Sequence, residues 1–239
     1  MAQDPHAVTS LSSGLTTDAP DSLARKGTLG QYVNPDPTKV YQYFNDFMVY
    51  TAGDWTVTTT EAGAGSASEA IGTAAGGQLV LTNDDADNDL DSLQLQGESF
   101  LFAAGKKAWF ETRFKVSDAT QSDLLLGLVI TDTTPLAHTD GVVFRKDDGD
   151  TNLDFESFKD SAGTTQAAVT TLSDDTFVIA GFYYDGAEFH LYINGEKTHT
   201  LSSPTIPDDE ELTVTMHIQN GEAAAKVLTV DYILAAIER

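Results

Sequence analysis

The chain has 239 residues, 41% of them hydrophobic, with 13 basic against 37 acidic side chains and a formal net charge of −24. That length and apolar content suit one globular domain around one large core. The lack of cysteine excludes disulfide staples, thiol catalysis and Cys-based zinc sites, and the charge argues against nucleic acid and anionic membranes as partners.

The first residues, Met1-Ala2-Gln3-Asp4-Pro5-His6, carry neither the basic nor the apolar region of a secretory signal. No apolar run exceeds strand length, so no membrane span is expected, and the default is synthesis in a cytoplasm. Residues 1–43 are rich in Ser, Thr, Asp, Gly and Pro, with breakers at Asp4-Pro5, Ala19-Pro20, Asn34-Pro35 and Asp36-Pro37. Their spaced apolar residues are Leu11, Leu15, Leu23, Leu29 and Val33. The segment reads as a tail or as an extended arm that orders against a partner, since alone it buries too little to offset its ordering entropy.

The domain proper is placed at residues 44–239. Trp55-Thr56-Val57-Thr58-Thr59-Thr60 is rich in β-branched residues and reads as a strand. Residues 61–77 read as a Gly/Ala/Ser loop, 78–82 as a strand, and 83–91 as an acidic loop running into the alternating Asp91–Gln96. Phe100-Leu101-Phe102 is a short strand. Ala108–Val116 alternates aromatic and charged residues, the mark of a half-buried strand. The continuous apolar run Leu124–Ile130 predicts a strand covered on both faces. Gly141–Arg145 and Leu153–Phe158 follow. Phe177–Tyr184 and Glu188–Ile193 flank Asp185-Gly186, and Asn194-Gly195 comes next, both strong hairpin signals. Leu212–Gln219, a turn at Asn220-Gly221, and Leu228–Ala235 close the chain. Roughly a dozen short strands without a long helix predict an all-β, antiparallel two-sheet jelly-roll sandwich.

Four stretches carry a family resemblance: Phe44-Asn45-Asp46-Phe47 with Trp55-Thr56-Val57; Trp109–Phe114 with Leu126–Val129; Phe182–Gly186 with Phe189–Gly195; and Leu228–Ile233. Their order resembles the concanavalin A-like jelly roll of legume lectins, laminin G-like domains and laminarinase-type glycoside hydrolases. With its irregular N-terminal arm, the chain also resembles the decoration or cement proteins of tailed-bacteriophage capsids. That resemblance implies a non-enzymatic virion structural protein on the outer capsid surface. It would be bound to the major capsid protein through the arm residues Leu11, Leu15, Leu23, Leu29 and Val33, and would form a dimer or trimer. The alternative it leaves open is a carbohydrate-binding, lectin-like module with a glycan partner.

Two stretches invite chemistry. Laminarinase-type hydrolases place carboxylates at i, i+2 and i+4 of one strand, on one face, with the first as nucleophile and the last as acid/base. Here Asn152, Asp154 and Glu156 occupy those positions, and an amide cannot serve as the nucleophile. No catalytic residue is therefore expected. The acidic loop offers Asp84, Asp85, Asp87 and Asp89 as candidate ligands for Ca²⁺, though the spacing is not that of an EF-hand and a solvated acidic turn is the alternative. No other cofactor is expected. The histidines His6, His138, His190, His199 and His217 show no metal-ligand spacing, no Gly-x-Ser-x-Gly elbow occurs, and Gly72–Gly77 lacks the lysine of a phosphate loop. The aromatics Trp55, Trp109, Phe110, Tyr183, Tyr184 and Tyr192 are either core or a sugar-stacking surface.

Overall fold

The computed structural model describes residues 36–239. The anchors Leu11, Leu15, Leu23, Leu29 and Val33 lie outside the described residues. Among those described there are fifteen strands: β1 (Val40–Asn45), β2 (Trp55–Thr60), β3 (Ser68–Ile71), β4 (Leu79–Thr82), β5 (Leu90–Leu95), β6 (Ala108–Val116), β7 (Ser122–Val129), β8 (Gly141–Lys146), β9 (Asn152–Lys159), β10 (Ala162–Thr171), β11 (Val178–Tyr184), β12 (Phe189–Ile193), β13 (Glu196–Leu201), β14 (Thr213–Asn220) and β15 (Val227–Glu238). No helix among the described residues is long and apolar enough to cross a membrane.

The strands form two antiparallel sheets, the sandwich that the alternation predicts. One runs β13-β12-β11-β6-β15-β4-β3, with β1 also on β15; the other runs β10-β9-β8-β7-β14-β5-β2. The long β15 serves two neighbours along one edge. Its first residues pair with β4 and its last six with β1, and its register against β6 shifts between Val230 and Tyr232. Period-two alternation puts Phe110, Phe114 and Val116 of β6 inside, and Leu124, Leu126 and Leu128 of β7 meet them from the other sheet. Phenylalanines dominate the centre. Phe110 stacks on Phe182 at 5.5 Å, and Phe155, Phe182 and Phe189 meet one another at 5.1–5.5 Å. Each such pair contributes about 0.5–1.5 kcal/mol beyond the area it buries.

Several local expectations need correction. The segment 61–77 contains a strand, β3, and β10 fills a stretch that carries no strand signal. Phe100-Leu101-Phe102 makes only an isolated bridge, Phe100 to Leu212. β5 is buried along nearly its whole length instead of alternating, because it is an inner strand with its outer face covered. Asn194-Gly195 is a two-residue turn with φ of 52° and 82°, as its type I′ signal requires. Asp185-Gly186 is instead the start of a four-residue loop in which only Gly186 has positive φ. Asn220-Gly221 makes no hairpin, since β14 and β15 lie in different sheets. β1 begins at Val40, so residues 40–43 are part of the sheet.

Candidate functional site

Three surfaces hold the side chains singled out by sequence. The first is the outer face of the seven-stranded sheet. On β9, Leu153, Phe155 and Ser157 are buried while Asn152, Asp154 and Glu156 alternate with them on the other side, as strand geometry dictates. Each is engaged by its own surroundings. Asn152 donates its amide to Asp150 at 3.0 Å. Asp154 accepts the Ala168 N–H at 2.7 Å. Glu156 lies 3.8 Å from Arg145, a charge contact too long for a hydrogen bond, with its side chain 12% exposed. Burial raises the Glu156 pKa, and Arg145 opposes that.

The same face is occupied by the chain that follows β7. Arg145 donates to the Leu136 carbonyl at 2.8 Å and to Asp147 at 2.7 Å. The Gln94 amide donates to the Ile130 carbonyl at 3.0 Å and accepts the Asp132 N–H at 2.9 Å. Leu136 then packs on the outward side chains Leu125, Val129 and Val143. Beside Leu125 in register stands His217, 1% exposed, with neither ring nitrogen hydrogen-bonded. Burial first, and the nearby Arg145 second, push its pKa down to about 3, so the ring is neutral. This face therefore holds an amide at Asn152, where retaining hydrolysis needs a carboxylate nucleophile, beside two engaged carboxylates and an apolar cover.

The second surface is an acidic edge between the sheets. Of the four aspartates read as ligands, Asp84 and Asp89 come together, and Asp85 and Asp87 are exposed and lie outside the group. The third member is Glu61, whose carboxylate lies with those of Asp84 and Asp89 within 4.8 Å of one another. Sequence reading missed Glu61. Strand register brings it there: Thr60 pairs with Leu90, which sets Glu61 opposite Asp89, a pairing made by the fold and not marked by chain spacing. Asp91, two residues on, is fully buried against the carboxyl of Glu69. Burial, then Glu69 and Glu61, raise its pKa to about 8. The hydroxyl of Tyr50 shares this space, and burial with Glu69 and Asp91 pushes it to about 12.

The third surface is the outer face of the eight-stranded sheet. Trp109 packs between Tyr183 at 6.0 Å and Tyr192 at 5.6 Å, and Tyr183 lies 5.8 Å from His190. Trp109 is fully buried, and Trp55, Phe110 and Tyr184 belong to the core, so only Tyr183, Tyr192 and His190 are partly exposed. His190 also meets Asp185 at 3.1 Å and groups with Glu188, a proximity that the chain spacing did not suggest. Two N–H groups of the same loop bind Asp185 and, against a burial penalty, hold its pKa low.

No protein-family model matches the sequence, and no curated protein does. Solved structures share the fold. A protein of unknown function from Shewanella oneidensis is 16% identical, with 93% of this chain and 97% of that one covered at a TM-score of 0.57. The endo-1,3-β-glucanase of Streptomyces sioyaensis is 10% identical over 86% and 99%, TM-score 0.58. The carbohydrate recognition domain of Emp46p is 12% identical over 80% and 94%, TM-score 0.55. The fold is thus the concanavalin A-like jelly roll, which hosts glycoside hydrolases, a lyase and carbohydrate recognition domains alike.

Proposed function

We propose that this protein is a non-enzymatic structural subunit that decorates the outer surface of a virus particle, holding to the major capsid protein through its N-terminal segment. The observation that carries the non-enzymatic part is β9. Asn152 stands where a nucleophile is needed, Glu156 is tied to Arg145, and Leu136 occupies the same face. The docking part draws on the start of the sandwich, where Phe44, Met48 and Val49 are 56%, 69% and 73% exposed. Large apolar side chains at adjacent positions are costly to leave in water and suit burial against another protein. The charge of −24 fits an outward position, away from packaged nucleic acid.

A second reading, a glycan-binding module, is favoured by one observation: Tyr183 and Tyr192 flank Trp109 beside His190 and Asp185, aromatic and polar groups together as sugar recognition requires. Two assays separate the readings. Co-sedimentation with capsids lacking the protein should carry it into the pellet, and a glycan array should stay blank. Array binding that disappears on Tyr192→Ala, with no capsid binding, would replace the first reading by the second.

A further inference from the structure

The segment 130–139 lies on the outer face of the seven-stranded sheet, and strand register shows what is beneath it. One transverse row runs Ser92, His217, Leu125, Arg145 and Asp154, on β5, β14, β7, β8 and β9 in turn. The next row runs Gln94, Thr215, Gly127, Val143 and Glu156. Facing residues in such a row stand roughly 4.5–5.5 Å apart at Cβ, so each side chain touches its neighbours. Leu136 rests on Leu125, Val143 and Val129.

Polar clasps hold the segment down. The Thr131 N–H donates to Glu98 at 2.6 Å and the Asp132 N–H to Gln94 at 2.9 Å. The Gln94 amide donates back to the Ile130 carbonyl at 3.0 Å, and Arg145 donates to the Leu136 carbonyl at 2.8 Å. At the far end His138 is buried, its Nδ1 2.9 Å from the Pro135 carbonyl and its ring edge-on to Phe158 at 5.5 Å. A strap held by a few such bonds and one leucine opens at less cost than the strands below it.

His217 is the weak point under the strap. Its ring is 1% exposed, and neither nitrogen has a hydrogen-bond partner. It stands between Ser92, whose hydroxyl is also buried and unpaired, and Leu125. Arg145 is the charge that acts on it. The other ionisable groups on this face are engaged elsewhere: Glu156 with Arg145, Asp154 with the Ala168 N–H, Asp147 with Arg145, Asp123 with the Asp148 N–H, and Glu98 with the strap. The strap itself brings Asp132, bound to the Thr134 N–H, and His138. A proton on His217 therefore creates a buried cation without an acceptor, across Leu125 from the Arg145 guanidinium.

We propose that residues 130–139 form an acid-released strap: it stays closed while His217 is neutral, and protonation of His217 opens it and uncovers Gln94, Arg145 and Glu156. The device belongs to the sandwich itself and does not depend on the capsid reading. The sign follows from hydration. The covered ring titrates at about 3 and a ring open to water near 6.5, so the open form gains steadily below about pH 6.5. Burial lowers the His138 pKa too, so its titration acts in the same direction.

The test is hydrogen–deuterium exchange of the full chain at about pH 7.5 and about pH 4.5, corrected for the intrinsic pH dependence of amide exchange. Protection of 130–139 should fall at least about tenfold at the lower pH, and about 100-fold if the open ring titrates at its ordinary value. Protection of β6 should change less than about threefold. In His217→Leu, shown by circular dichroism to be folded, the fall in 130–139 should be at least about tenfold smaller than in the parent. A smaller fall in the parent, an equal loss in β6, or a response that His217→Leu leaves intact overturns the proposal. Ring ¹³C shifts of the unmutated chain give a second reading that needs no variant. His217 should be neutral at about pH 7.5, and a ring already cationic there overturns the proposal.

Discussion

Glu156 and His217 lie on the same face of one sheet, the first beside Arg145 and the second buried without a hydrogen bond. Restoring the missing carboxylate with Asn152→Glu is expected to give no hydrolysis of soluble β-glucans, because Glu156 remains beside Arg145 and Leu136 remains on that face. Turnover above the buffer blank in a reducing-sugar assay would show that Asn152 alone had kept the strand silent. His217 gives a pH prediction. Its pKa of about 3 lies below the unfolded value of about 6.5, so the unfolded chain binds the proton more readily. Its share of stability is whole above about pH 6.5 and is lost as the pH falls towards 3. His217→Leu removes that slope. Its stability relative to the parent should therefore rise by about 2–3 kcal/mol between pH 7 and about pH 4.5, measured by urea unfolding at both. An unchanged difference would mean the ring is not buried neutral. At this scale the sequence was partly legible. Asn152, Asp154 and Glu156 share a face because strand period is two. Glu61 was not seen beside Asp89, because β2 and β5 are brought together by the fold rather than by chain spacing.

Among the elements, the β12–β13 hairpin was readable because Asn194-Gly195 supplies both positive φ angles itself. Gly195→Ala is expected to cost roughly 1 kcal/mol in urea unfolding, from strain at a φ of 82°. Phe182 stands at the meeting point of both sheets, touching Phe110, Phe144, Phe155 and Phe189. Phe182→Ala should cost about 3–5 kcal/mol, and a loss below about 1 kcal/mol would mean the aromatic cluster is not the packing centre. The elements that were missed share a physical reason. β3 and β10 are edge strands with little burial, so Ser, Thr, Ala and Gln fill them and no hydrophobic alternation marks them. Asn220-Gly221 carries a hairpin signal that the fold does not use. The strands on either side are each buried as inner strands of different sheets, and pairing with each other would undo both.

For the molecule as a whole, the two sheets are built from residues within 36–239. β1 begins at Val40 and pairs with β15 through Glu238. Removing residues 1–35 should leave the melting temperature within a few degrees of the parent and abolish capsid binding. Removing residues 1–45 strips β1 from β15 and should lower the melting temperature as well. Equal melts for both truncations would contradict the part given to β1. The class and two-sheet plan were legible from alternation and turn chemistry, because burial on one face imprints itself on every strand. The function was not legible, because the fold serves enzymes and carbohydrate recognition domains with one core. The most direct measurement is cryo-electron microscopy of capsids lacking the protein after addition of the purified full chain. The account predicts density for the sandwich at regular lattice positions on the outer surface, reached by the N-terminal segment. Bare capsids beside soluble, monodisperse protein would contradict it.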